Sequence, residues 1–479
     1  MTGNVLAIDQ GTSGTKALVV CPDRGVIGVG ATAVRPRYGA GGAVEQDPSE
    51  LLASVLDAGH QALAAAGEPV AAVGLANQGE TVLAWDPATG EPYTDAIVWQ
   101  DRRAAEICAE MGEHAETLAE TTGLPLDAYF AAPKMAWLRR HLTGEGMVTT
   151  SDSWLVHRLT GELVTDASTA SRTMLLDLDT CEWSMDAVSA FGLAGERLPR
   201  VVDCAGAVGT TTAFGPPVPV SGLLVDQQAA LLAQGCLDAA SAKCTYGTGA
   251  FVLANAGAPA RRSRHGLVAC VAWRLAGDPT YCFDGQVYTV ASAVRWLTDV
   301  GLLSGPEDID GLGLGVHDTG GVTFVPAFAG LAAPSWRGDV RAALGGLGLE
   351  TTRGHVVRAL CDGIAAQVVE LSNAMAEDLG CPLSMLRVDG GLTRSRLLMQ
   401  TQADLLQMPV EVYASPDATA LGVATAARLG LDPRLRLADA VPRWEPAAVY
   451  EPAVSADEAI ARLASYRAAV RRLTAREPT

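Results

Sequence analysis

A mixed α/β protein of two lobes is the fold the sequence predicts, and three observations predict it. Apolar runs of strand length alternate with amphipathic stretches of helical period along the whole chain. Two strand–turn–strand units with Gly/Thr-rich tips stand in opposite halves, Val5 to Val20 and Ala242 to Leu253, which suggests internal duplication. At 479 residues the chain also exceeds what a single hydrophobic core normally serves. The lobes are expected at 1–232 and 233–479.

The first unit organises the rest. Val5-Leu6-Ala7-Ile8 and Ala17-Leu18-Val19-Val20 flank Asp9-Gln10-Gly11-Thr12-Ser13-Gly14-Thr15-Lys16, a hairpin with a polar tip. Gly11 and Gly14 permit positive φ and close backbone approach, and Thr12, Ser13 and Thr15 add hydroxyls. Successive N–H groups in such a turn can cradle a phosphate without a helix N-terminus. Asp9, at the strand end, is placed to hold a hydrated Mg²⁺ against the same anion.

Val26 to Val34 reads as a third strand, and a loop at 41–48 leads to a helix over 49–66. That helix presents Leu52, Val55, Leu56, Ala62, Leu63 and Ala66 on one face, with Gly59 allowing close packing. Val70 to Ala76 is a buried strand running into Asn77-Gln78-Gly79-Glu80-Thr81. Strand ends are where α/β folds place ligand groups, so Glu80 is a candidate acceptor for substrate hydroxyls. An ordinary surface ion pair is the competing account. A turn follows at Trp85 to Gly90, then a strand at Ala96 to Trp99 and a helix opened by Gln100 to Arg103. Tyr129-Phe130 precede a helix through Arg139, and Ser151 or Asp152 is expected to cap another. Thr165-Asp166 reads as a second capped turn.

Leu223-Leu224-Val225 then ends in Asp226-Gln227-Gln228. A carboxylate at the ligand edge is where a general base is useful, although a helix N-cap explains it as well. Thr245-Tyr246-Gly247-Thr248-Gly249 forms the second Gly/Thr tip. A strand is expected at 267–273, a helix at 287–300, a Gly-rich loop at 311–321 and a long helix at 356–379. Met385 to Val388 ends in Asp389-Gly390-Gly391, whose glycines let a ligand approach the backbone, and a helix follows over 394–406. Asp417 is expected to cap a further helix.

Composition excludes several classes. A formal net charge of −19, from 54 acidic and 35 basic residues, disfavours nucleic acid and anionic membrane as partners. An anionic substrate must therefore be held by local donors or a metal ion. Ten cysteines stand singly with no C-x-x-C pair, so reduced thiols and no structural metal are expected. With no apolar run of membrane-spanning length and no leader-like start, the expected location is the cytoplasm. A homodimer is compatible with the chain but not specified by it.

Taken in order, these stretches resemble the FGGY carbohydrate kinase family, within it most nearly the glycerol kinases. The matching segments are Ile8-Asp9-Gln10-Gly11-Thr12, Asn77-Gln78-x-Glu80-Thr81, Ala96-Ile97-Val98-Trp99-Gln100, Thr165-Asp166, Gly222-x-x-x-Asp226-Gln227-Gln228, Thr245-Tyr246-Gly247-Thr248-Gly249, Val325-Pro326-Ala327-Phe328 and Arg387-Val388-Asp389-Gly390-Gly391. The resemblance implies two actin-like (ribonuclease H-like) lobes with ATP and a sugar or polyol in the cleft between them. It implies Asp226 as general base. Glu80, Tyr129 and Gln227 would bind the polyol, and Trp99 and Phe251 would line its pocket. Thr12, Ser13, Gly14 and Lys16 would face the nucleotide phosphates, Asp9 the Mg²⁺, and Thr248, Gly249, Gly390 and Gly391 the nucleotide.

Departures from the glycerol kinase pattern qualify those roles. Gly79 stands where an arginine grips the polyol, which points to a four- or five-carbon polyol or ketose; glycerol is the alternative if Arg102 or Arg103 reaches in instead. Ala291, Arg295 and Ser395 replace a glycine, a glutamine and an asparagine, which puts adenine contacts in question. An actin-like ATPase without a sugar substrate is the reading from another class. It shares the phosphate hairpins but has no need for Glu80, Tyr129 and Asp226 to converge.

Overall fold

The computed structural model describes residues 3–475. In the N-terminal half a six-stranded sheet runs 205–211, 218–225, 72–77, 5–10, 14–21, 25–33. In the C-terminal half a seven-stranded sheet runs 268–275, 278–287, 250–257, 241–246, 385–389, 410–413, 446–450. Both contain the same plan. Antiparallel strands come first, three in the N-terminal half and four in the C-terminal half; the leading one pairs in parallel with the strand after a helix, a second parallel strand adjoins that, and an antiparallel strand ends the sheet. The expected duplication is thus present in topology, with strand Val5–Gln10 matching Ser241–Tyr246.

Most elements form where periodicity places them. The helix Pro48–Ala66 starts after Asp47, whose carboxylate accepts the Ser49 N–H. Its buried face is Leu51, Val55, Ala58, Gly59 and Ala62, turned from the expected one, while Leu52, Leu56 and Leu63 are only partly covered. Phe214 occupies the space over Gly59, where an added Cβ would lie 2.4 Å from its ring. The long helix Arg353–Leu379 buries Val357, Leu360, Ile364, Val368 and Leu371 as expected.

Other expectations give way to tertiary pairing. The helix expected from 287 is only Ala291–Asp299, because Asp278–Val287 is drawn into the sheet beside Ala250–Gly257. The helix expected at Gln100 begins at Ala105. Asp101 instead accepts the Val44 N–H at 2.8 Å and the Arg103 N–H at 2.9 Å, holding the chain in a turn. Thr150, not Ser151 or Asp152, occupies the N-cap of Ser151–Thr160; Asp152 is buried in the first turn and accepts from Thr165 Oγ1. The loop expected at 311–321 is partly helical, Asp308–Gly313. Asp166 caps its short helix as expected, accepting from Ser168 and Thr169 N–H.

One helix crosses the expected lobe boundary. Ala418–Leu431 lies in sequence between the last two strands of the C-terminal sheet, Val410–Tyr413 and Pro446–Tyr450, yet packs on the N-terminal sheet, with Ser221 Oγ donating to Ala427 O at 3.0 Å. Its Gly422 faces the backbone of Ala229, where a Cβ would lie 1.8 Å from the carbonyl oxygen. Helix Asp226–Ala233 is therefore clamped between the two halves. No helix among the described residues is long and apolar enough to cross a membrane.

Candidate active site

The two hairpin tips are built alike. At the first, Gly11 N–H donates to Gly14 O at 3.0 Å; at the second, Gly247 N–H donates to Gly249 O at 2.8 Å. Gly11 and Gly14 do not use the left-handed region expected of them. Gly14 is needed for space instead, since a Cβ would meet Thr32 O at 2.8 Å. Thr12 is tied down from both sides: Gln46 Nε2 donates to its carbonyl at 2.7 Å, and Trp99 Nε1 to its hydroxyl oxygen at 2.9 Å. Ser13 lies exposed at the tip, its carbonyl accepting the Val34 N–H.

Asp9 is surrounded by negative charge. Burial, then the carboxylates of Asp226 and Asp417, push its carboxyl up to about 7, and Lys16 opposes the shift. Lys16 is ion-paired with Asp417, so Asp417 serves this pair and makes no side-chain cap for its helix. Asp226 and Asp417 act on Asp9 through their charge, but among the described residues no three of His, Cys, Asp and Glu are grouped so as to hold a metal ion by themselves.

At the second tip, Thr248 O accepts the Val290 N–H at 2.9 Å, which ties the turn to helix Ala291–Asp299. Gly249 abuts Val287 O. Gly390 has φ 98° and presses on the Tyr246 backbone, where a Cβ would lie 2.4 Å from the carbonyl oxygen, whereas Gly391 is open. Of the three nucleotide-side departures, Arg295 is exposed and Ala291 begins its helix. Ser395 caps helix Arg396–Leu406 and donates to Asp310 Oδ1 at 2.8 Å, so its hydroxyl has a structural task.

Asp226 is the first residue of its helix rather than its N-cap, a position held by Val225. The Gln227 N–H donates to its Oδ1 at 2.7 Å. Burial raises the Asp226 carboxyl, and Lys243 is the largest opposing influence. Lys243, fully buried, donates to Gln227 Oε1 and to Thr245 Oγ1; Thr245 in turn donates to Asp389 Oδ1 at 2.6 Å. A buried ammonium thus joins the Asp226 turn to the Asp389-Gly390-Gly391 turn across the cleft.

Glu80 is buried and stands at φ 55°, a strained conformation for a non-glycine residue that marks functional sites. Arg172 Nε donates to its Oε1 at 2.5 Å, and Arg172 Nη1 to Asp284 Oδ2 of the C-terminal half at 2.8 Å. Burial raises the Glu80 carboxyl and Arg172 opposes it. The guanidinium also lies 5.6 Å from the Tyr129 ring centre. Tyr129 meets Trp99 edge-on at 5.8 Å, and Trp99 meets Phe251 at 6.2 Å. Its phenol is held well above the usual range, by burial first and Glu80 second. Lys134 fixes the turn that carries it, donating to the carbonyls of Ala128, Tyr129 and Phe130. At Gly79 an added Cβ would meet only Val225 Cγ2, at 3.0 Å.

Of the residues expected to meet the polyol, Glu80, Tyr129, Trp99 and Phe251 adjoin one another through Arg172 and the ring contacts, while Gln227 is tied to Asp226 and Lys243. Neither Arg102 nor Arg103 joins this group: Arg102 pairs with Asp127, and Arg103 with Asp101 and Glu45. Arg172, Asp284, Lys134 and Lys243 were not among the expected site residues. Lysine itself was a signal. Only three occur in an arginine-rich chain, Lys16, Lys134 and Lys243, and all three serve this site.

Two hairpins with matching Gly/Thr tips, a carboxylate on a helix that touches both halves and a buried Glu80–Arg172–Asp284 bridge between those halves define a two-lobed phosphotransferase. The family model "FGGY family of carbohydrate kinases, N-terminal domain" matches residues 4–233, and the corresponding C-terminal domain model matches 242–431. The chain belongs to the FGGY family of carbohydrate kinases and is an ATP-dependent kinase. It is 42% identical to a glycerol kinase of Aromatoleum aromaticum over 98% of each chain. A glycerol kinase of Thermus brockianus is 41% identical, again over 98% of each. The crystal structure of Plasmodium falciparum glycerol kinase with ADP superposes with a TM-score of 0.92 at 30% identity, covering 98% of both chains. A xylulose kinase from Rhodospirillum rubrum shares the fold, with a TM-score of 0.86 at 24% identity over 98% of both chains.

Proposed function

We propose that this kinase phosphorylates glycerol on a terminal hydroxyl. Arg172 carries the proposal: it brings a guanidinium to Glu80 and beneath Tyr129, compensating for the side chain that Gly79 lacks. The relatives named glycerol kinase, matched over nearly their whole length, support the same substrate. The open surroundings of Gly79 favour a second reading, a four- or five-carbon polyol or ketose.

In this reading Asp226 accepts the proton of the attacking hydroxyl, which requires approach to within ~3 Å. Glu80 and Tyr129 orient the remaining hydroxyls with Gln227, while Trp99 and Phe251 form apolar walls. The tips at Thr12-Ser13-Gly14 and Thr248-Gly249, with Lys16 and Gly390-Gly391, surround the phosphates. Phosphoryl transfer depends mainly on such positioning and charge neutralisation. Mg²⁺, when bound, would neutralise phosphate charge beside Asp9, with the phosphates and water supplying its other ligands. A cytoplasmic location, where ATP is supplied, is consistent with this reading. The test is kcat/KM for glycerol, erythritol, xylitol, ribulose and xylulose. Glycerol should lead, and a longer substrate leading tenfold would select the second reading.

A further inference from the structure

Strand Asp278–Val287 adds a polar group to the cleft that no role above uses. Gln286 pairs across the sheet with Phe251. Directly opposed residues of antiparallel strands project from the same face, so Gln286 shares the face from which Phe251 meets Trp99. Two residues back on that face, Asp284 binds Arg172 and through it Glu80. Gln286 is 2% exposed, yet neither its Oε1 nor its Nε2 meets hydrogen-bond geometry with a protein atom, although its amide adjoins the Tyr288 phenol. Oδ1 of Asp284 is likewise unpartnered. Burying such atoms without well-made partners is unfavourable, and a native fold rarely tolerates it without use.

We infer that Gln286 is a specificity-determining residue for the polyol, its amide binding substrate hydroxyls from the C-terminal half. A primary amide accepts through oxygen and donates through nitrogen, which matches two neighbouring hydroxyls of a polyol. Glu80 and Tyr129 bind from the N-terminal half, so Gln286 makes the pocket complete only when both halves contribute. The inference rests on the polyol kinase reading and names a further contact at that site.

Gln286→Leu removes both polar atoms at similar volume, and Gln286→Asn keeps the amide but shortens its reach. With the five-substrate panel, Gln286→Leu should raise KM for the best polyol at least tenfold. KM for ATP should stay within twofold and kcat within threefold. Melting temperature should hold or rise, because an unpartnered buried amide is gone; a structural glutamine would lower it. Gln286→Asn should raise polyol KM at least threefold, and it decides the matter if the leucine variant does not fold. A folded Gln286→Leu with polyol KM within twofold of wild type overturns the inference alone, as does an unchanged Gln286→Asn beside an unfolded leucine variant. A wild type that phosphorylates none of the five overturns the underlying polyol reading, and the inference with it.

Discussion

Arg172 Nε lies 2.5 Å from Glu80 Oε1 while its Nη1 lies 2.8 Å from Asp284 Oδ2, so one buried guanidinium joins the polyol pocket to the opposite half. One guanidinium is thus shared between two carboxylates, so its loss would leave both without their counter-ion. Removing one partner of a buried ion pair costs roughly 3–5 kcal/mol, because the other charge is left uncompensated.

Arg172→Leu should therefore destabilise the protein by that order. Arg172→Lys is the informative variant, since it keeps the charge but loses the fork that reaches two carboxylates at once. It should fold and raise KM for the polyol at least tenfold, with KM for ATP little changed. Steady-state kinetics and thermal melts check this. A folded lysine variant with unaltered polyol KM would separate Arg172 from substrate binding.

Asp226→Asn should abolish most turnover while sparing nucleotide binding. Amide and carboxylate are nearly isosteric, and the Gln227 N–H that binds Oδ1 can bind the amide oxygen equally well. Loss of a positioned base lowers rate by ~10²- to 10⁴-fold. The measurements are kcat with the best polyol and ATP affinity by calorimetry. More than about a tenth of wild-type kcat would remove Asp226 from proton transfer.

Much of this site was legible because its chemistry is local. Strand ends such as Asp226 and hairpin tips such as Gly247-Thr248-Gly249 announce themselves within a few residues. Arg172 does not, since its partners Glu80 and Asp284 lie 92 and 112 residues away in sequence. The same holds for Lys16 and Asp417, 401 residues apart, where a local capping reading was natural and a tertiary pair formed instead. The strand Asp278–Val287 is not legible in the sequence, and the expected helix starts at its last residue, because periodicity over a short apolar stretch does not reveal an awaiting sheet edge.

Asp9 predicts a pH effect. Its carboxyl is raised from 3.8 to about 7 by burial and by Asp226 and Asp417, against Lys16. A raised folded-state value favours the protonated form. Its stabilising contribution is thus complete below about pH 4 and lost as pH rises through about 7. Ligand-free protein should lose melting temperature over that window, and Asp9→Asn should lose less. With Asp9 in the proposed role beside Mg²⁺–ATP, the stabilisation that Mg²⁺–ATP confers should grow from pH 6 to 8 in wild type and stay flat in Asp9→Asn. Parallel profiles for the two proteins would dismiss Asp9 as the titrating group.

Gly79 controls the width of the polyol pocket in the final prediction. Its backbone lies outside the left-handed region, and a new Cβ would press only on a methyl of Val225, at 3.0 Å. An arginine can therefore be accommodated with a small shift of that side chain. It would enter one residue from Glu80, which Arg172 already neutralises. The added guanidinium fills space and offers donors, which suits a three-carbon substrate and excludes longer ones. Like-charge proximity to Arg172 should lower the melting temperature modestly. Gly79→Arg should raise the ratio of kcat/KM for glycerol to that for xylitol or ribulose at least tenfold over wild type. The gain should come mostly from a higher KM for the longer substrates, because they lose room rather than catalytic groups. If the ratio moves by less than twofold in a folded variant, Gly79 does not border the polyol, and pocket length must be set by Arg172 and the walls at Trp99 and Phe251.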